Sequence, residues 1–154
     1  MQVSQAQKIV PIILPQAIVD NDDPAGARGD ANPVTVDTEG YDEMAVYVQL
    51  GATDVAMTGL GLYSSDTAAA SGADDADYTL DSAADFGGVP DASDDNTVRA
   101  AYVNLKGKPR RWILEAGCGN GSAGTFINAF AVLSKPRVSP NTDAERGLDA
   151  SSIS

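Results

Sequence analysis

Apolar and polar positions alternate most clearly between residues 43 and 50. Every second side chain there is a large apolar one, namely Met44, Val46, Val48 and Leu50. Glu43, Ala45, Tyr47 and Gln49 point the other way. A period of two is typical of a β-strand that turns one face to a core and the other to water. The segment therefore predicts a half-buried strand.

Further strands are predicted where short apolar runs are bounded by turn-forming residues, at 9–14, 34–38, 55–64, 78–80 and 98–105. Pro11 lies inside the first run. Because proline removes a donor from the strand ladder, this run belongs at a sheet edge or in an extended arm. Gly59 and Gly61 share one face of their strand, which predicts a bulge or the close approach of another backbone.

The stretch from Arg110 to Lys135 predicts two strands joined by a glycine-rich turn. Trp112 opens the first strand, and the second runs from Thr125 to Ser134. Both faces of the second strand are largely apolar, which predicts a strand covered on both sides. Glycine and asparagine between the strands take positive φ easily, so we expect a hairpin around which the other strands assemble.

The two ends of the chain are polar or rich in proline. The sequence predicts an N-terminal arm or edge strand at 1–15, a β-sandwich domain at 16–135, and an extended or disordered tail at 136–154. Within that tail, Thr142 with Glu145 three residues later is the capping pattern of a helical turn. No amphipathic helix is evident. The expected fold is all-β: a single antiparallel sandwich, jelly-roll-like in arrangement.

The net charge limits the classes of partner that the chain is expected to bind. Its 10 basic and 22 acidic residues give a formal net charge of −12. Nucleic-acid binding needs a basic surface, and anionic membranes attract cations, so neither is an expected partner. No apolar run approaches the length of a membrane helix, and the N-terminus does not resemble a signal peptide.

Catalysis and cofactor binding are not expected. The chain has no histidine, which removes the commonest general base and metal ligand. Its single cysteine, Cys118, can form no intrachain disulfide and has no histidine to activate it. Residues 114–121, LEAGCGNG, are spelled like the glycine-rich loop of methyltransferases that use S-adenosylmethionine. Because β-rich sequence follows instead of a helix, a turn explains these residues better.

Three other groups of polar residues have a plain and a functional interpretation. Acidic loops hold Asp74, Asp75, Asp77 and Asp81, and then Asp91, Asp94 and Asp95. They are either solvated or weak calcium sites, although their spacing is not that of an EF-hand. Residues 28–30 spell Arg-Gly-Asp, which we read as a surface loop and not as an integrin ligand.

Two candidate contact regions remain. One is the basic cluster Lys106, Lys108, Arg110 and Arg111, which either is a solvated turn or docks on an acidic partner. The other is the apolar run with Ile9, Val10, Ile12, Ile13 and Leu14. That run is either an edge strand of the domain's own sheet or an arm that pairs with a neighbouring subunit.

Several longer segments resemble a known group of proteins. They are KIVPIILPQAIVDN, YDEMAVYVQLGATDVAM and FINAFAVLSKPR, with TDAERG near the end. Together they resemble small structural proteins of tailed-phage virions, of the capsid decoration (cement) type, over most of residues 8–147. The resemblance implies a β-sandwich on the outer surface of the phage head that binds the major capsid protein. It also implies self-association, with a trimer favoured and a dimer as the alternative, and no catalytic residues.

Three rival roles remain open from sequence. One is another virion component, such as a tail or head–tail connector protein. Another is a module that binds host-surface glycans, which would need clustered aromatic side chains. The five tyrosines, at positions 41, 47, 63, 78 and 102, are scattered along the sequence. An enzyme is the least expected class.

Overall fold

The computed structural model describes residues 7–19, 22–67, 77–119 and 124–137 as eight β-strands joined by loops. The strands are β1 (Gln7–Ile18), β2 (Val36–Asp37), β3 (Tyr41–Thr53), β4 (Met57–Ser65), β5 (Thr79–Leu80), β6 (Val98–Asn104), β7 (Arg111–Cys118) and β8 (Thr125–Pro136). Over these ranges no helix has the length and apolar character needed to cross a membrane. The predicted helical turn at Thr142 lies outside the described residues.

The strands form two four-stranded antiparallel sheets. Sheet A has the order β1-β8-β3-β6, and sheet B has the order β2-β7-β4-β5. Strands that follow one another in the chain alternate between the sheets, except that β4 and β5 are neighbours in sheet B. Such interleaving of two four-stranded sheets is the jelly-roll arrangement. The predicted all-β, jelly-roll-like antiparallel sandwich is thus confirmed.

The core lies between the facing sides of the two sheets. As the alternation predicted, Met44, Val46, Val48 and Leu50 of β3 all point into it. Trp112 of β7 is fully buried beside them, and its indole Nε1 donates a hydrogen bond to the carbonyl oxygen of Pro109 at 3.0 Å. Burying each such large side chain stabilises the fold by about 1.5–3 kcal/mol.

The predicted hairpin between β7 and β8 is wrong. β7 pairs with β2 and β4 in sheet B, while β8 pairs with β1 and β3 in sheet A. The glycine-rich connection therefore carries the chain across the sandwich. Its start is held by two backbone hydrogen bonds, from Cys118 N–H to Asp22 and from Gly119 N–H to Ala56, each at 3.1 Å. The wide range of backbone angles open to glycine permits a crossing as readily as a hairpin.

The second face of β8 also differs from the prediction of a strand covered on both sides. Thr125, Ile127, Ala129, Ala131 and Leu133 point into the core. The residues between them point away from sheet B and are only half-buried, and Phe126 is 54% exposed. Strand β7, not β8, is the one with apolar residues buried on both faces.

The N-terminal apolar run lies in the domain's own sheet. β1 pairs along its length with β8, from Gln7 opposite Ser134 to Ile18 opposite Thr125. Ile12 and Ile13 are buried in the core, and two register shifts flank Ile13. The sandwich of the free chain therefore begins before residue 16, because residues 7–15 contribute both ladder hydrogen bonds and core side chains.

The paired glycines of β4 sit where close approach was expected. The register with β7 shifts between Met57 and Gly59, as a bulge would produce. Side chains, and not another backbone, lie over the two glycines: Glu115 over Gly59 and Leu80 over Gly61. The absence of a Cβ lets these side chains lie flat on the outer face of sheet B.

A candidate interaction surface on the outer face of sheet A

The outer face of sheet A carries two adjacent rows of apolar side chains. Cross-strand pairing places Pro11, Phe130, Tyr47 and Ala100 in one row. The next row consists of Ile9, Val132, Ala45 and Tyr102. Rows of side chains one pleat apart contact each other on the same face of a sheet. The two rows therefore form one continuous apolar strip across all four strands.

Three aromatic rings lie in contact within this strip, on β8, β3 and the edge strand β6. The ring centroids of Tyr47 and Phe130 are 5.4 Å apart with the planes inclined by 25°, and Tyr102 meets Tyr47 edge-on at 6.3 Å and 85°. Both arrangements suit the quadrupoles of aromatic rings. A hydrogen bond with Tyr102 raises the pKa of the Tyr47 hydroxyl above its ordinary value, and burial acts in the same direction.

Tyr102 is the most open member of this aromatic cluster, with 69% of its surface exposed. Beside it runs a shallow groove of about 450 Å³. The groove is lined by apolar residues that include Ala45 and Val132, and by the polar residues Glu43, Asn104, Gln7 and Ser134. A lining of apolar side chains with a few polar groups is the usual composition of a binding site.

The apolar character continues toward the other end of the sheet. Phe126 and Pro15 line a second groove of about 450 Å³, together with Gln49, Gly51 and Asn128. Phe126 and Leu14 are among the large apolar side chains that remain mostly exposed. Extended exposed apolar surface on a small domain commonly marks an interaction site.

The outer face of sheet B is occupied by the chain itself. Arg28 lies over the ring of Tyr63, 4.2 Å from its centroid, and its guanidinium is 3.4 Å from the Glu115 carboxylate. Asp30 accepts hydrogen bonds from the N–H groups of Gly26 and Ala31, and the first of these lowers its pKa most. Arg28 and Asp30 therefore make internal contacts, which fits the interpretation of residues 28–30 as a plain loop.

Two of the four cations in the predicted basic contact cluster, Lys108 and Arg110, pair with carboxylates of the same chain. Lys108 is 2.6 Å from the carboxylate of Asp81. Arg110 binds both carboxylate oxygens of Asp37, at 2.6 and 2.5 Å, and this hydrogen bonding lowers the pKa of Asp37. Arg111 donates to the backbone oxygen of Asp66 at 2.5 Å, whereas Lys106 lies at an exposed turn position. The charge that this cluster would offer to a partner is correspondingly reduced.

The apolar contact candidates divide between the core and the surface. Ile12 and Ile13 are buried, and Val10 packs against the core, so a partner reaches them only if β1 leaves its sheet. Ile9 belongs to the outer face of sheet A, and Leu14 is 68% exposed. These two are the members of the predicted set that remain accessible in the folded domain.

The acidic loops and the cysteine have structural contacts. Asp94 pairs with Arg99 at 2.8 Å, Asp95 accepts the N–H of Thr53 at 2.6 Å, and Asp91 accepts from Ser93. Among the described residues no three potential ligands cluster as a metal site, and Asp74 and Asp75 lie outside them. Cys118 is buried, with its sulfur 3.8 Å from the hydroxyl of Thr125.

Sequence reasoning missed the aromatic cluster. The prediction that the tyrosines are scattered is wrong for Tyr47 and Tyr102, because β3 and β6 are adjacent in sheet A. Each of these residues falls on the outward side of its strand, a position that alternation alone reveals. What the sequence could not supply was the pairing that places them side by side.

Comparisons with known proteins add one structural similarity. No family model matches the chain, and no curated protein matches it. Among solved structures, the chain is similar to the crystal structure of SPBc2 prophage-derived protein YomS, with 13% sequence identity and a TM-score of 0.45. That similarity covers 84% of this chain and 93% of the other.

Proposed function

We propose that this chain is a structural protein of a tailed-phage virion that decorates the outside of the assembled head. In this role it binds the major capsid protein across subunit boundaries and stabilises the shell. The chain acts by binding and not by catalysis. Support comes from the sequence segments that resemble decoration proteins and from the acidic jelly-roll fold.

The observation that carries the proposal is the difference between the two outer faces of the sandwich. The outer face of sheet B is covered by the chain's own side chains, such as Arg28 and Glu115. The outer face of sheet A presents an apolar strip that includes the aromatic cluster. We therefore assign the capsid contact to sheet A, with Ile9 as the contributor from β1. The basic cluster plays at most a secondary part.

Repetition explains how a small surface can serve this role. A single small contact binds weakly, because part of the interaction free energy offsets the translational and rotational entropy that is lost on binding. A shell presents many equivalent sites, and a self-associated decoration protein engages several at once. The outward carboxylates keep the free protein soluble at high local concentration.

Localisation in the source virion is the direct test. We expect cryo-electron microscopy to place the sandwich on the outer capsid surface, with sheet A toward the shell. Density confined to the tail or the portal would contradict decoration and support another virion component. Absence from the particle would contradict both.

A binding assay with undecorated shells tests the assigned face. Phe126→Ser removes a mostly exposed apolar side chain from sheet A and should weaken shell binding by roughly tenfold, as expected for an interface residue of this kind. Val89→Ser changes a similarly exposed apolar residue in a loop and serves as the control. Equal binding by both variants would show that sheet A is not the contact.

The groove beside Tyr102 supports a second candidate, a module that binds host-surface glycans. An exposed aromatic ring flanked by Asn104, Glu43 and Gln7 offers both a stacking surface and hydrogen-bonding groups for a sugar. We expect binding on a glycan array to be lost in Tyr102→Ala if this role is correct. An array without hits for the wild-type chain would exclude it.

A further inference from the structure

The two sheets have four edge strands, and three of them are poor templates for pairing. β2 and β5 are only two residues long. β1 carries Pro11 and Pro15 and has two register shifts, and the Gln16 side chain exchanges hydrogen bonds with the backbone of Ala25. Short strands, prolines and bulges are the features by which proteins block edge-to-edge association.

The fourth edge, β6, has none of these features. It runs for seven residues, VRAAYVN, without proline, glycine or lysine, and its register with β3 is unbroken from Val98 to Asn104. Val98 and Tyr102 are among the most exposed large apolar residues of the described chain. A long, regular edge of this kind is a template for another strand.

The hydrogen bonds at the two ends of β6 show which backbone groups face outward. Thr97 accepts a hydrogen bond from Leu50 N–H at 2.9 Å, and Leu105 N–H donates to Asp42 at 2.9 Å. In an antiparallel ladder alternate residues bond to the same neighbour, so the odd-numbered residues of β6 face β3. The even-numbered residues, Val98, Ala100, Tyr102 and Asn104, consequently direct their N–H and C=O groups to the free edge.

No described part of the chain satisfies those groups. None of the loop or side-chain hydrogen bonds in the described ranges uses the backbone of these four residues, and the sheet ends at β6. Backbone donors and acceptors in a row bind another strand cooperatively once it is in register.

We propose that β6 pairs antiparallel with β6 of a second copy, so that two sheets A join into one eight-stranded sheet. The register that pairs all seven residues centres on Ala101 opposite Ala101 of the partner subunit. It sets Ala100 against Tyr102 and Val98 against Asn104. All four outward residues then fall in hydrogen-bonded pairs, which gives about eight new backbone hydrogen bonds.

Side-chain chemistry makes a second copy the fitting occupant. When VRAAYVN is aligned antiparallel to a second copy of itself, no like charges are opposite each other. Residues that face the core are opposite residues that face the partner's core. The only charged residue, Arg99, is neutralised within its own chain by Asp94 at 2.8 Å. No carboxylate lies within β6, so this edge is a place where two chains of net charge −12 can approach with little local repulsion. Such an isologous contact closes on itself as a twofold dimer.

The joined sheet has a consequence for the outer face of sheet A. Tyr102 of each copy lies over Ala100 of the partner subunit, so the two aromatic clusters become neighbours. The dimer thereby doubles a continuous apolar face. The dimer does not depend on what that face binds, and it is testable without any capsid.

Amide hydrogen exchange measured by nuclear magnetic resonance is the first test. We expect the amides of Ala101 and Val103 to be protected at every protein concentration. Those of Ala100 and Tyr102 should exchange fast in dilute samples and become protected as concentration rises. Fast exchange of Ala100 and Tyr102 at all concentrations would overturn the proposal.

A pair of variants at one position gives the second test. Ala100→Pro removes an outward N–H without removing a bond to β3, and proline is tolerated at such edge positions. Ala100→Thr keeps the N–H and suits a strand. Sedimentation equilibrium should show that Ala100→Pro raises the dissociation constant of the dimer at least tenfold. Ala100→Thr should remain dimeric. Thermal unfolding checks that both are folded.

The outcomes separate the dimer from the proposed function. An Ala100→Pro variant that dimerises like wild type would exclude β6 as the interface, and a trimer by sedimentation would exclude the twofold arrangement. A dimer that fails to bind shells would sustain the interface and refute decoration. Shell binding by a wild-type protein that stays monomeric would support decoration and refute the β6 dimer.

Discussion

At the scale of single residues, two glycines with positive φ differ in what surrounds them. Gly26 has φ +93°, and a Cβ there would collide with the backbone oxygen of Ile12. Gly40 has φ +86°, but a Cβ would meet nothing within 4 Å. Backbone conformation is thus similar at the two sites, and only the neighbouring atoms differ.

We therefore predict that Gly26→Ala destabilises the fold by about 2–4 kcal/mol, because backbone strain and a steric clash add. Gly40→Ala, the control, should cost only about 1 kcal/mol for the positive φ. Urea unfolding measures both free energies. Equal losses would mean that the contact between the loop at Gly26 and β1 does not exist in solution.

Asp81 provides a prediction for acid pH. Burial alone would raise its pKa, but hydrogen bonds from Lys108 and the N–H of Ala83 outweigh it, so the pKa lies below the ordinary value. A carboxyl whose pKa is lowered on folding stabilises the fold above its unfolded pKa, about 3.9, and that contribution is lost as pH falls through the folded value.

Asp81→Asn should accordingly be less stable than wild type at pH 7, by about 1 kcal/mol, because Lys108 is partly exposed and screened. The difference should shrink as the pH falls below about 4. A double-mutant cycle with Lys108→Gln, followed by denaturant unfolding across pH, isolates the pair. A coupling free energy that stays constant down to low pH would rule out this carboxylate as the titrating group.

At the scale of elements, the strands themselves were predictable and the pairing of two of them was not. The apolar run located β6 to within one residue, whereas the alternation at 43–50 identified β3 but not its full extent from Tyr41 to Thr53. The glycine-rich link between β7 and β8 predicted a turn, yet a local turn signal does not say which sheet the next strand joins. The continuous burial of β7 and the alternation of β8 follow from their different sheets.

The candidate surface was hidden for the same reason. Tyr47 and Phe130 are 83 residues apart in sequence, and only the register between β3 and β8 makes them neighbours. Ion pairs likewise depend on the tertiary fold: the sequence predicted a solvated turn or a docking cluster, whereas Lys108 and Arg110 pair with Asp81 and Asp37. The hydrophobic periodicity and the composition of the sequence predict where strands lie and which of their faces is buried. Contacts between strands that are distant in sequence can be predicted only when the sheet topology is known.

The place of β1 can be tested with two adjacent residues. Ile13 is 1% exposed and Leu14 is mostly exposed, although both belong to the same apolar run. Ile13→Ala should destabilise the free protein by about 2–4 kcal/mol, through lost burial and a cavity. Leu14→Ala should change stability by less than about 0.5 kcal/mol.

Urea unfolding of the two variants decides between an integral edge strand and a free arm. If β1 packed only on binding a partner, Ile13→Ala would leave the unfolding free energy unchanged. Removal of residues 1–15 should for the same reason destabilise the domain, so a loss of shell binding after that truncation would not by itself identify a contact.

At the scale of the whole molecule, net charge and the β6 edge act in opposite directions. Two chains of charge −12 repel each other over distances that depend on salt, since the screening length falls from about 30 Å at 0.01 M to about 3 Å at 1 M. Backbone hydrogen bonds across β6 depend little on salt. The proposed dimer should therefore tighten as sodium chloride is added.

Sedimentation equilibrium at low and high sodium chloride measures this dependence. We expect the dissociation constant of the dimer to fall by roughly tenfold or more between these limits, as screening removes the repulsion. Ala100→Pro should remain monomeric in both solutions. A dissociation constant that rises with salt would mean that attraction between opposite charges, and not strand pairing, holds the copies together.

The antiparallel pairing of the first and last strands also determines how the domain responds to force. Gln7 and Ser134 are direct partners, so the chain enters and leaves the sandwich at adjacent points on one end of sheet A. Tension applied between Gln7 and Ser134 separates β1 from β8 by breaking the hydrogen-bonded residue pairs one after another. Resistance to such pulling is low, because each pair of hydrogen bonds breaks before the next is strained. A force applied through attachments at both ends would therefore separate β1 from this sheet far more readily than a force applied through a partner bound to the outer face of the sheet.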